Sequence, residues 1–341
     1  MAARRGDTLL FPTPPVVAAH AAIGGKKEGE GPLAACFDAL SADNFFGQSS
    51  WEAAEKELAL QTARLCLKKA QTTPEKVSLV LAGDLQAQCT ASSYAMRELG
   101  IPFAGLFGAC STMAEALGLG AALCSAGMAD GLLAMTSSHF CAAERQFRTP
   151  LSYGAVRTPT AQWTATAAGA CLLRPAGEGV QLCAVTFGRV QDYKIKDINN
   201  MGAAMAPAAA VTLLHYLKDT GSAPEDFDRI YTGDLGHVGS QLLRDLLAAE
   251  GLLLKNHVDC GCILYDATEQ TVKSGGSGPG CSASVLCGHI LPRLERGTQK
   301  RALFIATGAL MSQTTFLQKE SIPAIAHLVE LRSPQQKEEN E

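Results

Sequence analysis

Cys110 is the residue whose place in the chain most clearly suggests chemistry. It lies between a predicted strand, residues 103–107, and a predicted helix that begins at about residue 111 and ends at about 125. The free N–H groups and the dipole of a helix start favour negative charge, so this position favours a thiolate, the nucleophilic form of cysteine. Unbonded cysteines are also common as inert core residues, so a small residue at a crowded corner is the alternative interpretation.

The elements around Cys110 alternate between strands and helices. The helix after it carries Glu115 as its only charge, and a helix without a polar face belongs in the interior. Upstream, a Ser-x-x-Glu capping box at Ser49 and Glu52 opens an amphipathic helix that runs to residue 70. A buried strand follows at residues 77–82, and a short helix ends at Gly100. This alternation predicts an α/β fold in which helices cover parallel-rich sheets.

Three other segments have less regular patterns. Residues 24–32 read as a solvated loop or a lip over a site. Residues 137–162 have no regular period, and a connection of that length predicts an ordered functional loop. Two apolar runs, 163–173 and 180–190, are joined by a short Pro- and Gly-containing turn, which predicts a hairpin.

Composition excludes several classes of protein. The 341 residues are 47% hydrophobic and 18% charged, with a net charge of −4, and no basic cluster is interleaved with aromatics, so nucleic acid is excluded as a partner. The 12 cysteines include no C-x-x-C pair, which argues against a zinc knuckle or a redox motif. There is no signal peptide, and the longest uncharged apolar run, 116–129, is too short to span a bilayer. We therefore predict a soluble, reduced protein that holds no cofactor or metal of its own.

The second half of the chain repeats the first. Gly83-Asp84-Leu85 returns at an offset of 150 as Gly233-Asp234-Leu235, and Cys110-Ser111 returns at an offset of 171 as Cys281-Ser282. Constant offsets within ordered blocks indicate an internal duplication. A second apolar helix, at about 282–296, follows the glycine-rich turn 275–281. We predict two halves, 1–190 and 191–332, followed by a mobile polar tail, 333–341.

A duplicated α/β chain with a cysteine opening its buried helix resembles the thiolase fold: two mixed sheets with buried central helices in a layered αβαβα arrangement. More specifically, the strings KKEGEGPL, SWEAAEK, LAGDL, GACSTM, SSHFCAAERQFR, NMGAAMAPAAA, TGDLG, ATGAL and others resemble the stage V sporulation protein AD family across nearly the whole chain. Pro279 and Ala168 depart from that family's pattern, where we expect cysteine and glycine.

The resemblance implies a dipicolinate-binding protein. Members of the family belong to the system that moves dipicolinate (pyridine-2,6-dicarboxylate), as its Ca²⁺ chelate, into the developing spore and out again at germination. The implied partners are the membrane proteins of the SpoVA channel, which is part of this transport system. The implied location is peripheral to the spore inner membrane. A homodimer is an open alternative to a monomer.

Catalysis is the competing interpretation. The thiolase-fold condensing enzymes that this chain resembles pair their cysteine with a histidine and an asparagine that stabilise developing charge. Here Asp234 stands near the histidine slot, with His237 a few residues on. The asparagine slot falls near Gly280, and residues 275–284 contain no asparagine. We therefore predict a non-catalytic binding protein. An acyl-thioester condensing enzyme that uses Cys110 is the first alternative, and a purely structural channel adaptor is the second.

The predicted ligand contacts are the helix start, the glycine-rich turn and a strand end: Cys110, Ser111, Ser138, His139, Asp234, Gly275, Gly276, Ser277 and Cys281. His139 suits either ligand contact or a structural hydrogen bond. Arg145 and Arg148 suit either bidentate pairing with a dicarboxylate or bridges to nearby acids. Asp234 and Asp259 suit either contact with the chelated Ca²⁺ or capping of a turn.

Overall fold

The computed structural model describes residues 2–147 and 157–334. Its strands are β1 (Ala3–Arg5), β2 (Thr8–Leu10), β3 (Val16–Gly24), β4 (Ala39–Leu40), β5 (Leu79–Gly83), β6 (Phe103–Gly105), β7 (Leu132–Ser138), β8 (Trp163–Thr164), β9 (Ala167–Arg174), β10 (Val180–Thr186), β11 (Arg229–Thr232), β12 (His257–Asp259), β13 (Gly276–Ser277), β14 (Arg301–Ala309) and β15 (Ala324–Arg332).

The helices are α1 (Trp51–Lys69), α2 (Thr90–Leu99), α3 (Thr112–Ser125), α4 (Phe140–Phe147), α5 (Met201–Thr220), α6 (Gly236–Ala249), α7 (Cys260–Leu264), α8 (Pro279–Val285), α9 (Leu291–Glu295) and α10 (Gln313–Leu317). A π-helical segment, Leu286–Ile290, joins α8 to α9, so the second predicted central helix is one continuous rod that begins three residues before the predicted start. Ser50, rather than Ser49, caps α1 by accepting a hydrogen bond from the N–H of Ala53 at 3.2 Å.

The strands form two groups with the same internal order. Across the first group the order is β6-β5-β7-β9-β3, and across the second it is β12-β11-β14-β15-β10. In both groups the first three strands pair in parallel and the last two join antiparallel. A short antiparallel contact between β10 and β3 joins the groups into one continuous mixed sheet. The equal strand orders are the structural form of the internal repeat.

The layers follow from the helix contacts. Helix α3 contacts strands of both groups and also α8, so the two central helices lie between the two groups of strands, as the sequence predicts. Helices α1 and α2 cover the first group, while α5 and α6 cover the second. Most of α3 is buried, in keeping with its lack of a polar face. The arrangement is the predicted αβαβα layering.

The predicted hairpin is wrong. Strands β9 and β10 are consecutive in the chain, but β3 lies between them in the sheet. A short connection predicts hairpin pairing only when no third strand takes the place between its ends, and here β3 pairs with β9 along nearly its whole length. The strand order places β10 with the second group, while the division at residues 190 and 191 stays a prediction.

Two predicted loops also differ. Residues 24–32 are only partly solvated, because Glu28 in a 3₁₀ turn is fully buried while Lys26, Glu30 and Pro32 are exposed. The segment 137–162 contains the end of β7 and all of α4, and residues 148–156 lie outside the described range. The polar tail lies outside it too, apart from Ser333 and Pro334. Within the described ranges, the helices are all too short or too polar to cross a bilayer.

Candidate functional site

Cys110 lies in a tight 3₁₀ turn, Ala109–Ser111, directly before α3. Ala109 has a φ of +50°, a left-handed conformation that is uncommon for a residue with a side chain. The turn is held by two side chains, because Ser111 Oγ donates to the carbonyl of Gly108 at 2.6 Å and Thr112 Oγ1 donates to that of Ala109 at 2.7 Å. Ser111 is therefore a structural residue of the turn, and Cys110 is the residue that the turn presents.

Asp234 meets Cys110 from the second half of the chain. It follows β11, is fully buried, and its carboxyl lies close enough to the Cys110 thiol for the two groups to influence each other's pKa. The same carboxyl accepts hydrogen bonds from Ser277 Oγ at 2.9 Å, Gly278 N at 3.0 Å and Thr307 Oγ1 at 2.8 Å. One carboxyl thus ties together the helix start, the glycine-rich turn and β14.

This neighbour reverses the expected chemistry of the cysteine. Burial, and then the negative charge of Asp234, raises the pKa of the Cys110 thiol well above its ordinary value. Burial also raises the pKa of Asp234 itself. The expectation of a thiolate at this helix start is therefore wrong: Cys110 is 8% exposed and has an acid rather than a cation beside it.

A cleft of about 510 Å³ opens over Cys110. Its walls come from the turn after β5, the end of α4, the start of α5 and the connection from β14 to α10. The hydroxyl and amide side chains that line it are Gln86, Gln146, Thr164, Ser277, Ser312, Gln313, Thr314 and Thr315. The apolar side chains that line it are Leu85, Ala87, Phe107, Ala109, Phe147, Met201, Ala309, Leu310 and Met311, and Asp84 completes the described lining with Cys110. Cys110, Ser277 and the neutral polar groups therefore face one small-molecule-sized space.

The glycine-rich turn serves packing more than ligand contact. A Cβ at Gly276 would lie 3.0 Å from the ring of Tyr265, and one at Gly280 would overlap the carbonyl oxygen of Ala167. Gly275 has a φ of +106° and packs against Gly261. In the structure these glycines allow close packing against other parts of the protein, and the prediction that they let the backbone approach a ligand stays a prediction.

Cys281 lies below the cleft rather than on its wall. It is fully buried, and its Sγ lies 3.9 Å from the carbonyl oxygen of Gly233. Burial raises the pKa of its thiol well above the ordinary value. Among the residues predicted from the turn, Ser277 is the one that reaches the cleft.

Ser138 and His139 are structural residues behind the cleft. Ser138 Oγ donates to the carbonyl of Ala165 at 2.7 Å and accepts from Gly280 N at 3.2 Å, which locks β7 to the start of α8. His139 Nε2 lies 2.8 Å from the carbonyl oxygen of Asn44, and its ring packs against Trp51. Burial lowers the pKa of His139, so its ring is neutral. Neither side chain lines the cleft, and the prediction that they form its wall is corrected.

Arg145 and Asp259 have the structural contacts that were the alternatives to ligand binding. Arg145 forms an exposed ion pair with Glu52 at 2.8 Å. Asp259 caps α7 through Cys262 N at 3.1 Å, accepts hydrogen bonds from the backbone after β11, and has a pKa raised by burial to about 6. Arg148 and Tyr153 lie outside the described residues. No group of three or more metal-ligating side chains occurs in the ranges 2–147 and 157–334.

A buried polar network lies beside the cleft and was not predicted from the sequence. Gln86 Nε2 donates to Glu55 Oε2 at 2.8 Å, and Gln86 N donates to Asp84 Oδ1 at 2.8 Å. Asp84 and Gln86 line the cleft, while Glu55 lies fully buried behind them. The repeat contained the signal, since Asp84 is the first-half counterpart of Asp234.

Comparison with known proteins agrees with the fold. The stage V sporulation protein AD family matches residues 5–332. The chain is 42% identical over 322 residues to stage V sporulation protein AD of Bacillus subtilis (strain 168), covering 94% of this chain and 95% of that relative.

Solved structures of condensing enzymes share the thiolase-like fold. Cerulenin-bound OleA of Xanthomonas campestris superposes with a TM-score of 0.61 at 15% identity, covering 97% of this chain and 99% of that one. The 3-oxoacyl-[acyl-carrier-protein] synthase III of Aquifex aeolicus superposes with a TM-score of 0.57 at 12% identity, covering 93% and 99%. At these identities the likeness concerns the fold alone.

Proposed function

Because the chain belongs to the stage V sporulation protein AD family, which gives it a role in sporulation, we propose that its cleft binds dipicolinate as the Ca²⁺ chelate without catalysis. The protein would act in dipicolinate uptake by the developing spore and release at germination. Its partners would be the membrane proteins of the SpoVA channel, at the spore inner membrane.

The cleft supports this ligand by its size and its lining. Small-molecule sites are mostly apolar concavities of roughly 300–1,000 Å³ with a few placed polar groups, and this cleft has about 510 Å³. Phe107, Phe147 and Met201 offer apolar surface to a flat aromatic ring, while hydroxyls such as those of Thr164 and Thr314 offer hydrogen bonds to carboxylates. The combination of apolar walls and neutral donors around Cys110 is the observation that carries the proposal.

The charge of the described lining favours the chelate. Asp84 is its one ionisable group apart from the Cys110 thiol, and both oxygens of Asp84 already accept hydrogen bonds from the protein. Dipicolinate is doubly anionic, and one Ca²⁺ neutralises it. Ca²⁺ prefers oxygen ligands, which the hydroxyl side chains of the cleft can add to those of the chelate.

The Cys110–Asp234 pair argues against the acyltransferase alternative. A nucleophilic cysteine needs a base or a cation that favours its thiolate, and an oxyanion needs hydrogen-bond donors. Here burial and the charge of the neighbouring Asp234 carboxyl both disfavour the thiolate. Incubation with acetyl- or malonyl-coenzyme A should therefore leave the mass of the Cys110 peptide unchanged. A mass increase that is absent in Cys110→Ser would restore the enzyme interpretation.

Isothermal titration calorimetry tests the binding proposal. The protein is titrated with dipicolinate in the presence and absence of Ca²⁺, and with benzene-1,3-dicarboxylate, which keeps the shape but lacks the chelating nitrogen. We expect the strongest binding from dipicolinate with Ca²⁺. Equal binding of the two dicarboxylates would argue against the chelate.

Bulky substitutions locate the site. Cys110→Trp should fill the cleft and abolish binding, while Met128→Trp adds the same bulk at a position that is 74% exposed and should leave binding unchanged. Gly276→Val is unsuitable as a probe, because its side chain would press on Tyr265 and disturb the fold. Wild-type affinity in a folded Cys110→Trp variant would place the ligand elsewhere.

A further inference from the structure

Gln86 connects the cleft to two buried carboxyl groups. It is 4% exposed and lines the cleft, its backbone N–H donates to Asp84, and its amide N–H donates to Glu55 on α1. Among the described residues, its side-chain carbonyl oxygen accepts no hydrogen bond. The orientation of this amide, and with it the group that Gln86 offers to the cleft, therefore depends on the hydrogen bond that Glu55 requires.

The hydrogen bonds indicate which carboxyl holds a proton. Asp84 accepts three, from Gln86 N, Ser92 N and Ser92 Oγ, whereas Glu55 is in contact with two groups, the amide of Gln86 and Ser137 Oγ at 3.1 Å. Two adjacent buried carboxyls resist double ionisation, and the better-bonded one keeps the charge. Burial, and then the charge of Asp84, raises the pKa of Glu55 to about 8. Near neutral pH, Glu55 is the protonated member.

Protonation of Glu55 changes the kind of hydrogen bond that it can form with Gln86. An ionised carboxylate only accepts hydrogen bonds, so it holds the amide NH₂ and leaves the amide oxygen toward the cleft. A protonated carboxyl donates, and the two halves of a glutamine amide have nearly the same shape. The amide can turn over, accept from Glu55 and direct its NH₂ into the cleft. Ser137 is the poorer acceptor, because it is more distant and its own buried hydroxyl proton would then need a new partner.

We propose that Glu55 and Gln86 form a proton-linked switch in the cleft wall, which presents a donor to the ligand when Glu55 is protonated and an acceptor when it is ionised. The proposal rests on the proposed function, because it takes the cleft to be the dipicolinate site. It makes Gln86 a ligand contact for a carboxylate oxygen and Glu55 a positioning residue. Above the titration of Glu55, the ligand binds together with one proton, and the bound Glu55 keeps it.

The titration of Glu55 is controlled mainly by its own burial and by the neighbouring carboxyl of Asp84. Asp84 faces it from the turn after β5, and Glu52 lies one turn earlier on its own helix. From β7 it meets the neutral hydroxyl of Ser137. Other ionisable groups on the elements packed against α1 have partners of their own: His20 with Glu295, Glu98 with Lys56, Arg145 with Glu52 and Glu144 with Arg157.

The first arm of the test uses no ligand. The ¹⁵N side-chain amide signal of Gln86, assigned by its loss in Gln86→Leu, is followed by NMR from pH 6 to 9.5. We expect a shift with a midpoint near pH 8 in the wild type and none in Glu55→Gln. A signal that does not titrate in the wild type would overturn the switch, whether or not dipicolinate binds.

The second arm measures dipicolinate affinity by calorimetry over the same pH range. We expect constant affinity below pH 8 and a loss of about tenfold per pH unit above it, because one proton is then taken up with each ligand. Glu55→Gln should bind with a flat profile, since its amide is a fixed donor, and Gln86→Leu should bind weakly at every pH. Glu57→Gln, which removes a carboxylate from the same helix, should keep the wild-type slope.

The outcomes separate the two ideas. A wild-type slope that persists in Glu55→Gln, or a flat wild-type profile, refutes the link between the switch and the ligand. An NMR transition without any heat of dipicolinate binding refutes the proposed function and leaves the switch in place.

Discussion

Replacing Asp234 by asparagine should make Cys110 reactive. A unit charge at about 4 Å from a thiolate contributes about 4 kcal/mol at an effective dielectric of about 20. Because 1.36 kcal/mol is a factor of ten, removing it raises the thiolate population about a thousandfold. The less basic thiolate is a weaker nucleophile, with a Brønsted slope of about 0.4–0.5, which lowers the gain by a factor of about 16–32. The net expectation is alkylation about 30- to 60-fold faster at pH 7.5.

The assay is mass spectrometry of the Cys110 peptide during treatment with iodoacetamide. Cys36 is a partly exposed cysteine whose environment the substitution leaves unchanged, so its rate serves as the internal control. Near-ultraviolet circular dichroism checks that Asp234→Asn stays folded, since this carboxyl also accepts hydrogen bonds from Ser277, Gly278 and Thr307. If Cys110 in the wild type reacts as fast as Cys36, or if the variant gains less than about threefold, then the carboxyl does not control the thiol and the electrostatic account is wrong.

Two further predictions concern the fold. Folding raises the pKa of Glu55 from 4.5 to about 8, so the folded state holds an extra proton between these values, and urea titrations should show stability falling by a few kcal/mol from pH 4.5 to 8, with a flatter profile in Glu55→Gln. Gly169→Ala would press its Cβ into the backbone of Ala283 and should cost about 1–3 kcal/mol, whereas Gly105→Ala meets its neighbours at 3.4 Å or more and should cost much less in the same titration.

Local patterns predicted the elements better than their pairing. The apolar stretch after Cys110 gave α3 to within a residue, and the cap before Trp51 gave the start of α1. Strand pairing depends on which distant strand fills a place in the sheet, and no local signal places β3 between β9 and β10. The burial of Glu28 was equally hidden, because a charged residue in a glycine-rich segment is usually solvated.

The candidate residues that the structure brings together are ones that a motif or the repeat had marked, and their contact with a ligand stays a prediction. Cys110, Asp234 and Ser277 meet in the structure, and each stood in a distinctive string. The role of Glu55 was not predicted because the residue lies early in its helix, where the helix dipole stabilises a carboxylate. Its position therefore had an explanation that required no buried partner. Gln86 carries no motif at all, and only the folded turn after β5 brings it to the cleft.

The two copies of the repeat contribute unequally to the cleft, and this asymmetry bears on its chemistry. Cys110 and Asp84 from the first copy line it, whereas their counterparts Cys281 and Asp234 are fully buried beneath it. Each aspartate accepts hydrogen bonds from neutral donors and lies beside a second ionisable group that burial keeps protonated: Asp234 lies beside the Cys110 thiol of the other copy, and Asp84 lies beside Glu55 of its own copy. The cleft therefore carries less charge than its four acidic groups would suggest. Such a surface discriminates ligands by shape and by the direction of hydrogen bonds, so substitutions at the protonated member of each pair should change ligand binding more than substitutions at Cys281.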